Sequence, residues 1–367
     1  MLTPPIEPML AKLMEEVPQD GDFLFEPKWD GFRAIVFRDR DGVFIQSRAL
    51  RPLDRYFPEL HDVLLEQLPA GLVLDGEIVM PTPHGLDFGG LQMRLHPAAS
   101  RVEKLAKAMP TAFVAFDLLA LDGKSVLTEP QEDRRAKLEK LFKKMRKPLY
   151  LTPMTRDHAV AVDWLKRFEG AGLDGVVAKP ATAAYQPGKR AMLKIKHART
   201  ADCVVAGFRW HKSGKDTLGS LLLGLYDDAG TLQHVGVTSA FTMAMRKQLV
   251  KELAPLRKDA LHRHPWRKWA EIEADSGRMP GGQSRWSAGK DLSWEPLRVE
   301  RVCEVKYDHM EGERFRHPPV FLRWRLDKKP KDCAYDQLEV TPAYELAKVF
   351  GAGGKAGAKG SRGRAAG

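Results

Sequence analysis

Lys28 is the residue of this chain whose neighbours best suit it to nucleophilic chemistry. Asp30, Gly31 and Arg33 follow it at fixed offsets in the stretch EPKWDGFR, residues 26–33. A Lys-x-Asp-Gly-x-Arg string arises by chance in a chain of this length only about a few times in a thousand at average residue usage. A lysine amine is nucleophilic only when it is unprotonated, a form that nearby cations or burial favour. Lys28 is therefore a candidate covalent nucleophile.

Lys194 and Lys196 are the candidate neighbouring cations. They flank Ile195 in a stretch of strand-like composition, where alternate side chains point to one face of a sheet, about 7 Å apart. The two ammonium groups would then lie side by side and face a phosphate. A Lys-x-Lys pair considered alone is usually solvated on an edge strand, so this interpretation depends on Lys28.

Two acidic stretches could bind a divalent cation. Attack by a lysine on the α-phosphate of a nucleotide would require such a cation. Magnesium prefers carboxylate oxygens supplemented by water. The DGE stretch at residues 75–77 follows an apolar strand-like run, and the DG pair at residues 174–175 precedes another. A glycine beside each carboxylate allows close backbone approach to a ligand, although Asp-Gly pairs are also ordinary turn formers. Glu77 and Asp174 are the candidate metal ligands.

The elements that must position these residues fall into two domains. A chain of 367 residues is too long for one ordinary core. Residues 1–200 alternate strand-like and helix-like stretches, which predicts a mixed α/β domain. Short β segments separated by Gly and Asp dominate residues 201–345, which predicts a small β-barrel. Residues 346–367 are rich in Gly and Ala and end in a basic run, so we expect a disordered basic tail.

Composition favours a polyanionic partner. The chain has 59 Lys and Arg against 48 Asp and Glu, a net charge of +11, and nucleic acid is the leading candidate. The three cysteines are widely spaced without a C-x-x-C pair, so neither a disulfide framework nor a zinc knuckle is indicated. The N-terminus has no signal-peptide pattern and no apolar run reaches membrane-spanning length. We therefore expect a cytoplasmic protein without a membrane partner.

These motifs, in this order, resemble those of ATP-dependent DNA ligases, and of the small bacterial ligase C class and the ligase domain of ligase D in particular. The resemblance covers nearly the whole chain. It implies an α+β fold: a mixed α/β nucleotidyltransferase domain, ATP-grasp-like, followed by an OB-fold β-barrel. The matching stretches are residues 28–33 (KWDGFR), 47–48 (SR), 74–77 (LDGE), 116–119 (FDLL), 174–179 (DGVVAK), 193–196 (LKIK) and 325–328 (RLDK).

The resemblance also implies roles for individual residues around ATP. Lys28 would carry AMP, Glu26 would contact the adenine amino group, and Phe116 would stack on the base. Arg33, Arg48 and Glu77 would hold the ribose, with Arg48 also on the DNA 5′-phosphate and Glu77 joining Asp174 on Mg²⁺ or Mn²⁺. The phosphate contacts would come from Lys179, Lys194 and Lys196.

A final motif would act from the barrel. Arg325, Asp327 and Lys328 would close over the pyrophosphate leaving group, which requires a domain movement. Asp30 and Arg33 join Lys28 and these three residues in the implied catalytic set. The implied partner is nicked double-stranded DNA, together with DNA-repair proteins, and the implied state is a monomer.

Two positions depart from the family pattern. The motif that usually begins with Glu has the shorter Asp174, which puts direct metal contact in doubt. The motif that usually reads Ser-Arg-Asn-Gly continues here with Ala49 and Leu50, so its turn is in doubt while Arg48 remains.

Three alternatives stay open from sequence. A guanylyltransferase or an RNA ligase would use the same lysine chemistry on another base or acceptor. A non-catalytic nucleic-acid-binding protein would carry an inert Lys28 motif. His262 and His264 could form half of a metal site, but a solvated loop is the favoured interpretation because no Cys or carboxylate lies at suitable spacing.

Overall fold

The chain divides into two compact units. The computed structural model describes residues 2–83, 85–196, 199–267, 293–338 and 344–351. The first unit comprises residues 1–196 and 341–367, and the second comprises residues 197–340. The chain therefore crosses from the first unit to the second and returns, whereas the sequence analysis divided it at residues 200 and 345 and assigned no returning segment to the first unit.

The first unit is built from short strands and helices in alternation. Its strands are β1 (Leu10–Met14), β2 (Phe23–Lys28), β3 (Phe32–Arg38), β4 (Val43–Ser47), β5 (Leu72–Val79), β6 (Pro81–Thr82), β7 (Gly85–Leu86), β8 (Ala112–Leu121), β9 (Lys124–Ser125), β10 (Leu149–Leu151), β11 (Gly175–Pro180) and β12 (Arg190–Ile195). Its helices are α1 (Pro58–Gln67), α2 (Phe88–Met93), α3 (Ala99–Ala108), α4 (Gln131–Phe142) and α5 (His158–Arg167).

Two sheets of the first unit carry or adjoin the candidate nucleotide-binding residues. One has the order β1-β12-β11-β2, and the other has the order β10-β8-β5-β3-β4 with β9 paired to β8. Pairs β1/β12 and β8/β10 are parallel, while the neighbours of β11 and β5 are antiparallel. The β2–β11 pairing sets Lys28 opposite Gly175, which brings two distant motifs together.

The central strands of the larger sheet are buried almost along their whole length. In β8, every residue is buried except Phe116 and Leu121, as expected for a strand covered on both faces. Because buried charges need partners, Asp117 on this strand accepts a hydrogen bond from Arg134 Nε at 2.8 Å. Phe116 is thus a partly exposed residue in a strand that is otherwise buried on both sides of it.

Local signals place the helix that precedes β11. Asp157 caps α5 by accepting hydrogen bonds from the backbone N–H groups of Ala159 and Val160. A short 3₁₀ turn, Phe168–Ala171, follows α5 and ends at Gly172 with φ +80°, a conformation that favours glycine. Residues close together in sequence thus fix the start of α5 and the stop that precedes β11.

In the described residues of the second unit, a helix packs on an antiparallel sheet. Its elements are β13 (Arg199–His211), β14 (Gly214–Tyr226), β15 (Leu232–Thr238), α6 (Met243–Leu253), β16 (Glu295–Tyr307), β17 (Met310–Glu311), β18 (Arg314–Phe315) and β19 (Val320–Trp324). The main sheet has the order β15-β14-β13-β16-β19. The predicted β segments are confirmed within the described residues.

The returning segment forms a short helix on the first unit. Helix α7 (Leu346–Gly351) buries Leu346 and Val349. The Phe350 ring stacks on Trp29 with centroids 5.1 Å apart and on Tyr150 at 4.0 Å. The sequence analysis placed residues 346–351 in a disordered tail; the structure shows instead that their apolar side chains are used in packing. Residues 352–367 of that tail lie outside the described residues.

The cysteines and helices agree with the composition. Cys203, Cys303 and Cys333 are free and buried, as expected without a disulfide framework. Among the helices of the described ranges, none is long and apolar enough to cross a membrane.

Candidate active site

A cleft in the first unit collects most of the residues proposed for nucleotide binding. They are Glu26, Lys28, Arg33, Arg48, Glu77, Phe116, Lys179 and Lys194. Seven further lining residues were not proposed as site residues from the sequence, and they are Leu10, Ala11, Pro27, Trp29, Val177, Arg190 and Met192. The alternation Arg190, Met192, Lys194 along β12 was an available signal, because alternate residues share one face of a strand. Leu10 carried no such signal, since only its parallel pairing with Arg190 places it there.

Lys28 ends β2 beside the first residues of the neighbouring strand. The Asp174 N–H donates to the Lys28 carbonyl oxygen at 2.9 Å. Lys28 Nζ donates to Asp174 Oδ2 at 2.5 Å, and Lys196 Nζ lies 2.9 Å from the same oxygen. Burial alone raises the pKa of Asp174, but Lys28 and Lys196 outweigh it and hold that pKa well below its usual range. Asp174 is therefore an ionised carboxylate between two lysines.

Lys194 and Lys196 occupy different environments. Lys194 lies within β12 and lines the cleft, where burial, then Lys28 and Lys196, lowers its pKa. Lys196 follows the last residue of β12 and pairs with Asp174. The sequence analysis placed the two ammonium groups side by side on one strand face; in the structure only Lys194 is on the strand.

The glycines beside the two acidic motifs make room for protein and not for a ligand. A Cβ on Gly175, which has φ +137°, would lie 2.0 Å from the Ile195 carbonyl oxygen. A Cβ on Gly76 would lie 2.4 Å from the Phe113 ring. The sequence-based proposal that these glycines admit a ligand is therefore corrected: they permit close strand pairing and core packing.

One end of the cleft holds a buried ion pair against an aromatic ring. Lys179 Nζ lies 2.8 Å from Glu26 Oε2 and donates to the Phe116 carbonyl oxygen at 2.8 Å. The same nitrogen lies 4.8 Å from the Phe116 ring centroid. Glu26 and Lys179 are each 2% exposed. Burial raises the pKa of Glu26, against the lowering effects of Lys179 and Arg135. Lys179 therefore sits with Glu26 and Phe116 and not with Lys28.

Arg33 is fixed by a buried network that the sequence analysis did not foresee. Its guanidinium donates to both Asp75 oxygens, with Nε to Oδ1 at 3.0 Å and Nη2 to Oδ2 at 2.6 Å. It also donates to the Met9 carbonyl oxygen at 2.5 Å. The Tyr185 hydroxyl donates to Asp75 Oδ2 at 2.7 Å and accepts from the Met9 N–H at 2.9 Å. Asp75 and Tyr185 thus hold Arg33 in one orientation.

Glu77 faces the same cleft in a poorly solvated position. Burial raises its pKa from 4.5 to about 8, although Lys28 and Arg33 oppose the shift, while Asp30 and Asp75 add to it. The carboxyl group therefore holds a proton at neutral pH in the absence of further positive charge. This protonation is a property that sequence spacing could not reveal. Asp30 does not line the cleft but is close enough to Glu77 to influence its charge.

The turn that carries Arg48 forms without the glycine found in the family pattern. Leu50 adopts φ +61°, and its N–H donates to the Ser47 carbonyl oxygen at 2.9 Å. The Arg51 N–H donates to Ser47 Oγ at 2.9 Å and closes the same turn. A branched residue at positive φ costs on the order of 1 kcal/mol. Arg48 nevertheless lines the cleft, so the departure changes the strain of the turn and not the place of the arginine.

The last motif lies in the second unit and is held there by an aspartate. Arg325 Nη1 donates to both oxygens of Asp202 at 3.0 and 2.9 Å, and Lys328 Nζ donates to Asp202 Oδ2 at 2.9 Å. Arg325 also donates to Asp327, whose pKa this hydrogen bond lowers to about 2. Asp202 was not among the residues proposed from sequence.

The His262 and His264 pair has a structural role at one of its members. His264 is 5% exposed, its Nε2 lies 2.8 Å from the Ala206 carbonyl oxygen, and its Nδ1 accepts from the Trp266 N–H at 3.0 Å. The solvated-loop interpretation is therefore wrong for His264, because both ring nitrogens are used inside the fold.

The two sheets of the first unit carry a lysine beside a pocket that contains an aromatic ring and a carboxylate, and the chain continues into an antiparallel β unit. This is the arrangement of a covalent nucleotidyltransferase. Comparison with known families narrows the class. Residues 8–196 match the family described as ATP dependent DNA ligase domain, and residues 214–328 match the ATP dependent DNA ligase C terminal region. This chain belongs to the ATP-dependent DNA ligases.

Individual relatives agree with the family match. The chain is 54% identical to DNA ligase C2 of Mycolicibacterium smegmatis over 341 residues, covering 92% of this chain and 96% of that protein. It is 52% identical to DNA ligase C of Mycobacterium tuberculosis over 340 residues, covering 92% and 94%. A solved Lig E DNA ligase, described as DNA binding with a minimal scaffold, is 17% identical with a TM-score of 0.54, covering 86% and 99%. That structure supports the fold alone. The predicted family and two-domain fold are confirmed.

Proposed function

We propose that this ligase seals nicks with 5′-phosphate and 3′-hydroxyl ends through a covalent AMP on Lys28. The lysine nitrogen attacks the α-phosphorus of ATP; the N–P bond forms, pyrophosphate leaves and the nitrogen loses a proton. The DNA 5′-phosphate then takes AMP from Lys28, forming a P–O–P bond as the N–P bond breaks. The DNA 3′-hydroxyl finally attacks the 5′-phosphorus, which releases AMP and completes the phosphodiester.

The observation that carries the proposal is the position of Lys28 within one cleft. The buried Glu26–Lys179 pair and the Phe116 ring lie at one end, and Lys28 and Lys194 supply positive charge elsewhere along its lining. A nucleotide needs both features: an apolar face with polar groups for the base, and cations for the phosphates.

Adenine suits the Glu26 end of the cleft better than guanine. An ionised Glu26 can only accept hydrogen bonds, and adenine offers a 6-amino donor where guanine has an acceptor oxygen. Lys179 donates to Glu26, and its positive charge opposes the rise that burial causes in the pKa of Glu26. We therefore assign Lys179 to base recognition through Glu26, in place of the phosphate contact that the family resemblance implied. Phe116 stacks on the base.

The remaining cations serve the sugar and phosphates. Arg33, preset by Asp75 and Tyr185, and Glu77 face the ribose. Lys194 faces the phosphates from β12. Arg48 lies in the turn after β4, outside the strands, where it meets the DNA 5′-phosphate. Lys196 acts on the site through Asp174.

The residues present fit a divalent cation. Burial raises the pKa of Glu77 to about 8 against the opposing charges of Lys28 and Arg33, so a bound cation would favour its ionised form, and Asp174 is already an ionised carboxylate. Glu77 and Asp174 would hold Mg²⁺ or Mn²⁺, since both ions prefer carboxylate oxygens. Such an ion neutralises charge that gathers on the phosphate oxygens. Lys28 must release Asp174 before its nitrogen can attack.

The second unit contributes Arg325, Asp327 and Lys328 to the release of pyrophosphate. Because they lie in a separate unit from Lys28, the assignment requires the two units to move between steps. Nicked duplex DNA is the partner, the protein acts as a monomer in repair, and its net charge of +11 supplies phosphate contacts without sequence preference.

Intact mass measurement tests the nucleophile. The protein is first freed of bound AMP with pyrophosphate and is then incubated with Mg²⁺ and each nucleoside triphosphate in turn. We expect a gain of one AMP from ATP alone and none in Lys28→Ala. A GMP adduct would indicate a guanylyltransferase, and a failure to gain any adduct would indicate a binding protein. Sealing of nicked DNA, with no sealing of nicked RNA, separates the DNA ligase from an RNA ligase.

A further inference from the structure

Asp202 is the point at which the cations of the last motif meet. Its carboxylate accepts two hydrogen bonds from Arg325 Nη1, at 3.0 and 2.9 Å, and one from Lys328 Nζ at 2.9 Å. Arg325 and Lys328 lie in the turn after β19, whereas Asp202 lies within β13. One strand carboxylate thus joins both cations of a turn.

The backbone of Asp202 is itself fixed on both sides. Its N–H donates to Gln337 Oε1 at 2.7 Å, and its carbonyl oxygen accepts from Gln337 Nε2 at 3.1 Å. In the sheet it pairs with Glu304 of β16. The Asp202 side chain is only 11% exposed. The anchor is therefore rigid, while the Arg325 and Lys328 side chains are 21% and 24% exposed.

Holding two long cations in one place reduces the conformational freedom that they lose when they meet a negative charge. Free Lys and Arg side chains have more rotamer freedom to lose than most other side chains. A cation that is already oriented loses less freedom when it meets a developing negative charge than one that must be ordered during the reaction. The carboxylate that orients Arg325 and Lys328 therefore acts on the same step as they do.

We propose that Asp202 is a positioning residue for adenylylation: it holds Arg325 and Lys328 as a pair for the pyrophosphate leaving group. The inference rests on the proposed function, in which these two cations face pyrophosphate. Asp202 itself touches no substrate. Its effect is confined to formation of lysyl-AMP and to the reverse reaction with pyrophosphate, because the phosphodiester-forming step involves no pyrophosphate.

The experiment compares Asp202→Asn and Asp202→Glu with Glu304→Gln. Glu304 is the matched control, since it is the cross-strand neighbour of Asp202 and pairs with Arg323 at 2.6 Å. Each variant is assayed for the rate of lysyl-AMP formation, for the pyrophosphate KM of the reverse reaction, and for sealing of a nick that already carries AMP on its 5′-phosphate. Circular dichroism establishes that each variant is folded.

For Asp202→Asn we expect adenylylation to slow about tenfold or more and the pyrophosphate KM to rise, as expected when oriented groups lose their anchor. Sealing of the pre-adenylylated nick should stay within about threefold of the unsubstituted protein. Asp202→Glu keeps the negative charge but moves it by the length of one methylene group. Its adenylylation rate should therefore fall between those of Asp202→Asn and the unsubstituted protein. If Asp202→Asn does not fold, the same split between adenylylation and sealing is expected in Asp202→Glu.

A double variant separates positioning from a general structural role. If Asp202 acts through Lys328, Asp202→Asn combined with Lys328→Ala should adenylylate little more slowly than Lys328→Ala alone. The inference is overturned if the effects multiply, if Asp202→Asn adenylylates at the normal rate, or if all steps slow equally. A wild-type protein that forms no lysyl-AMP at all would overturn the proposed function instead.

Discussion

Lys28 and Asp174 are joined by a hydrogen bond of 2.5 Å although 146 residues separate them in the chain. The bond exists because β2 and β11 pair with Lys28 opposite Gly175. It places the proposed nucleophile next to the Asp174 carboxylate. Burial raises the pKa of this carboxylate, but the charges of Lys28 and Lys196 outweigh burial and hold the pKa low. In this state the Lys28 nitrogen is held by Asp174, so this hydrogen bond must break before the nitrogen attacks.

Asp174→Asn should slow lysyl-AMP formation by on the order of 10- to 100-fold and raise the Mg²⁺ concentration needed for half the maximal rate. The reason is that one of two carboxylates available to the ion is lost. Adenylylation rates across a Mg²⁺ titration provide the measurement. Asp163→Asn, which removes an exposed partner of Arg167, is the control and should behave normally. An unchanged Mg²⁺ requirement in Asp174→Asn would remove this residue from the metal site.

Glu26→Gln should lower the free energy of unfolding by about 3 kcal/mol, because it leaves the Lys179 ammonium buried without an opposite charge. Glu139→Gln is the control: Glu139 also pairs with Arg135 but is 44% exposed, so its loss should cost less than about 0.5 kcal/mol. Urea unfolding at pH 7 measures both. Equal effects in the two variants would mean that the buried pair contributes nothing special to the fold.

Glu77→Gln should stabilise the protein increasingly as pH rises. Glu77 has a pKa of about 8 in the folded chain and an ordinary value of 4.5, so between these values the native state holds a proton that the unfolded chain has released. The free energy of unfolding therefore falls with rising pH across this window. Glutamine does not titrate and removes that decline.

The Glu77→Gln advantage should be absent near pH 4.5 and reach on the order of 1 kcal/mol or more at pH 8. Urea unfolding at several pH values, without nucleotide or divalent metal, provides the test. A difference between the two proteins that is the same at every pH would contradict the raised pKa. Adenylylation by the variant should be impaired at every pH, since the proposed metal ligand is lost.

Phe350→Ala should destabilise the first unit by about 1–3 kcal/mol, since it removes a half-buried ring stacked on Trp29 and Tyr150. Lys348→Ala is a control in the same helix, because Lys348 is 59% exposed and pairs only locally with Glu345. Thermal unfolding distinguishes the two. Were both variants equally stable, α7 would contribute no packing energy to the first unit.

Affinity for nicked duplex DNA should fall steeply between low and moderate salt. A basic protein that binds through phosphate contacts releases counterions, and each contact adds about −0.9 to the slope of log affinity against log salt. Fluorescence anisotropy with a labelled nicked duplex measures the slope. A salt-independent affinity would be inconsistent with binding through the charge of the chain.

The pattern of local signals made much of the fold predictable. The glycine stop after α5, the helix at 243–253 and the apolar strands at 72–79 and 112–121 all follow from residues close together in sequence. Short-range signals failed for Leu346–Gly351, where a Gly- and Ala-rich neighbourhood concealed a helix. That helix depends on the distant rings of Trp29 and Tyr150, which no local composition reports.

By itself, the sequence determined the family and predicted the lysine that would act as the nucleophile, because a nucleophile and its flanking motifs are written in consecutive residues. Only the tertiary structure decided the partners of those residues. Strand register pairs Lys28 with Asp174 and Glu26 with Lys179, and it places Asp202 under Arg325 across 123 residues. The charge state of Glu77 likewise follows from its burial. Register and burial are properties of the folded whole, and single motifs do not encode them.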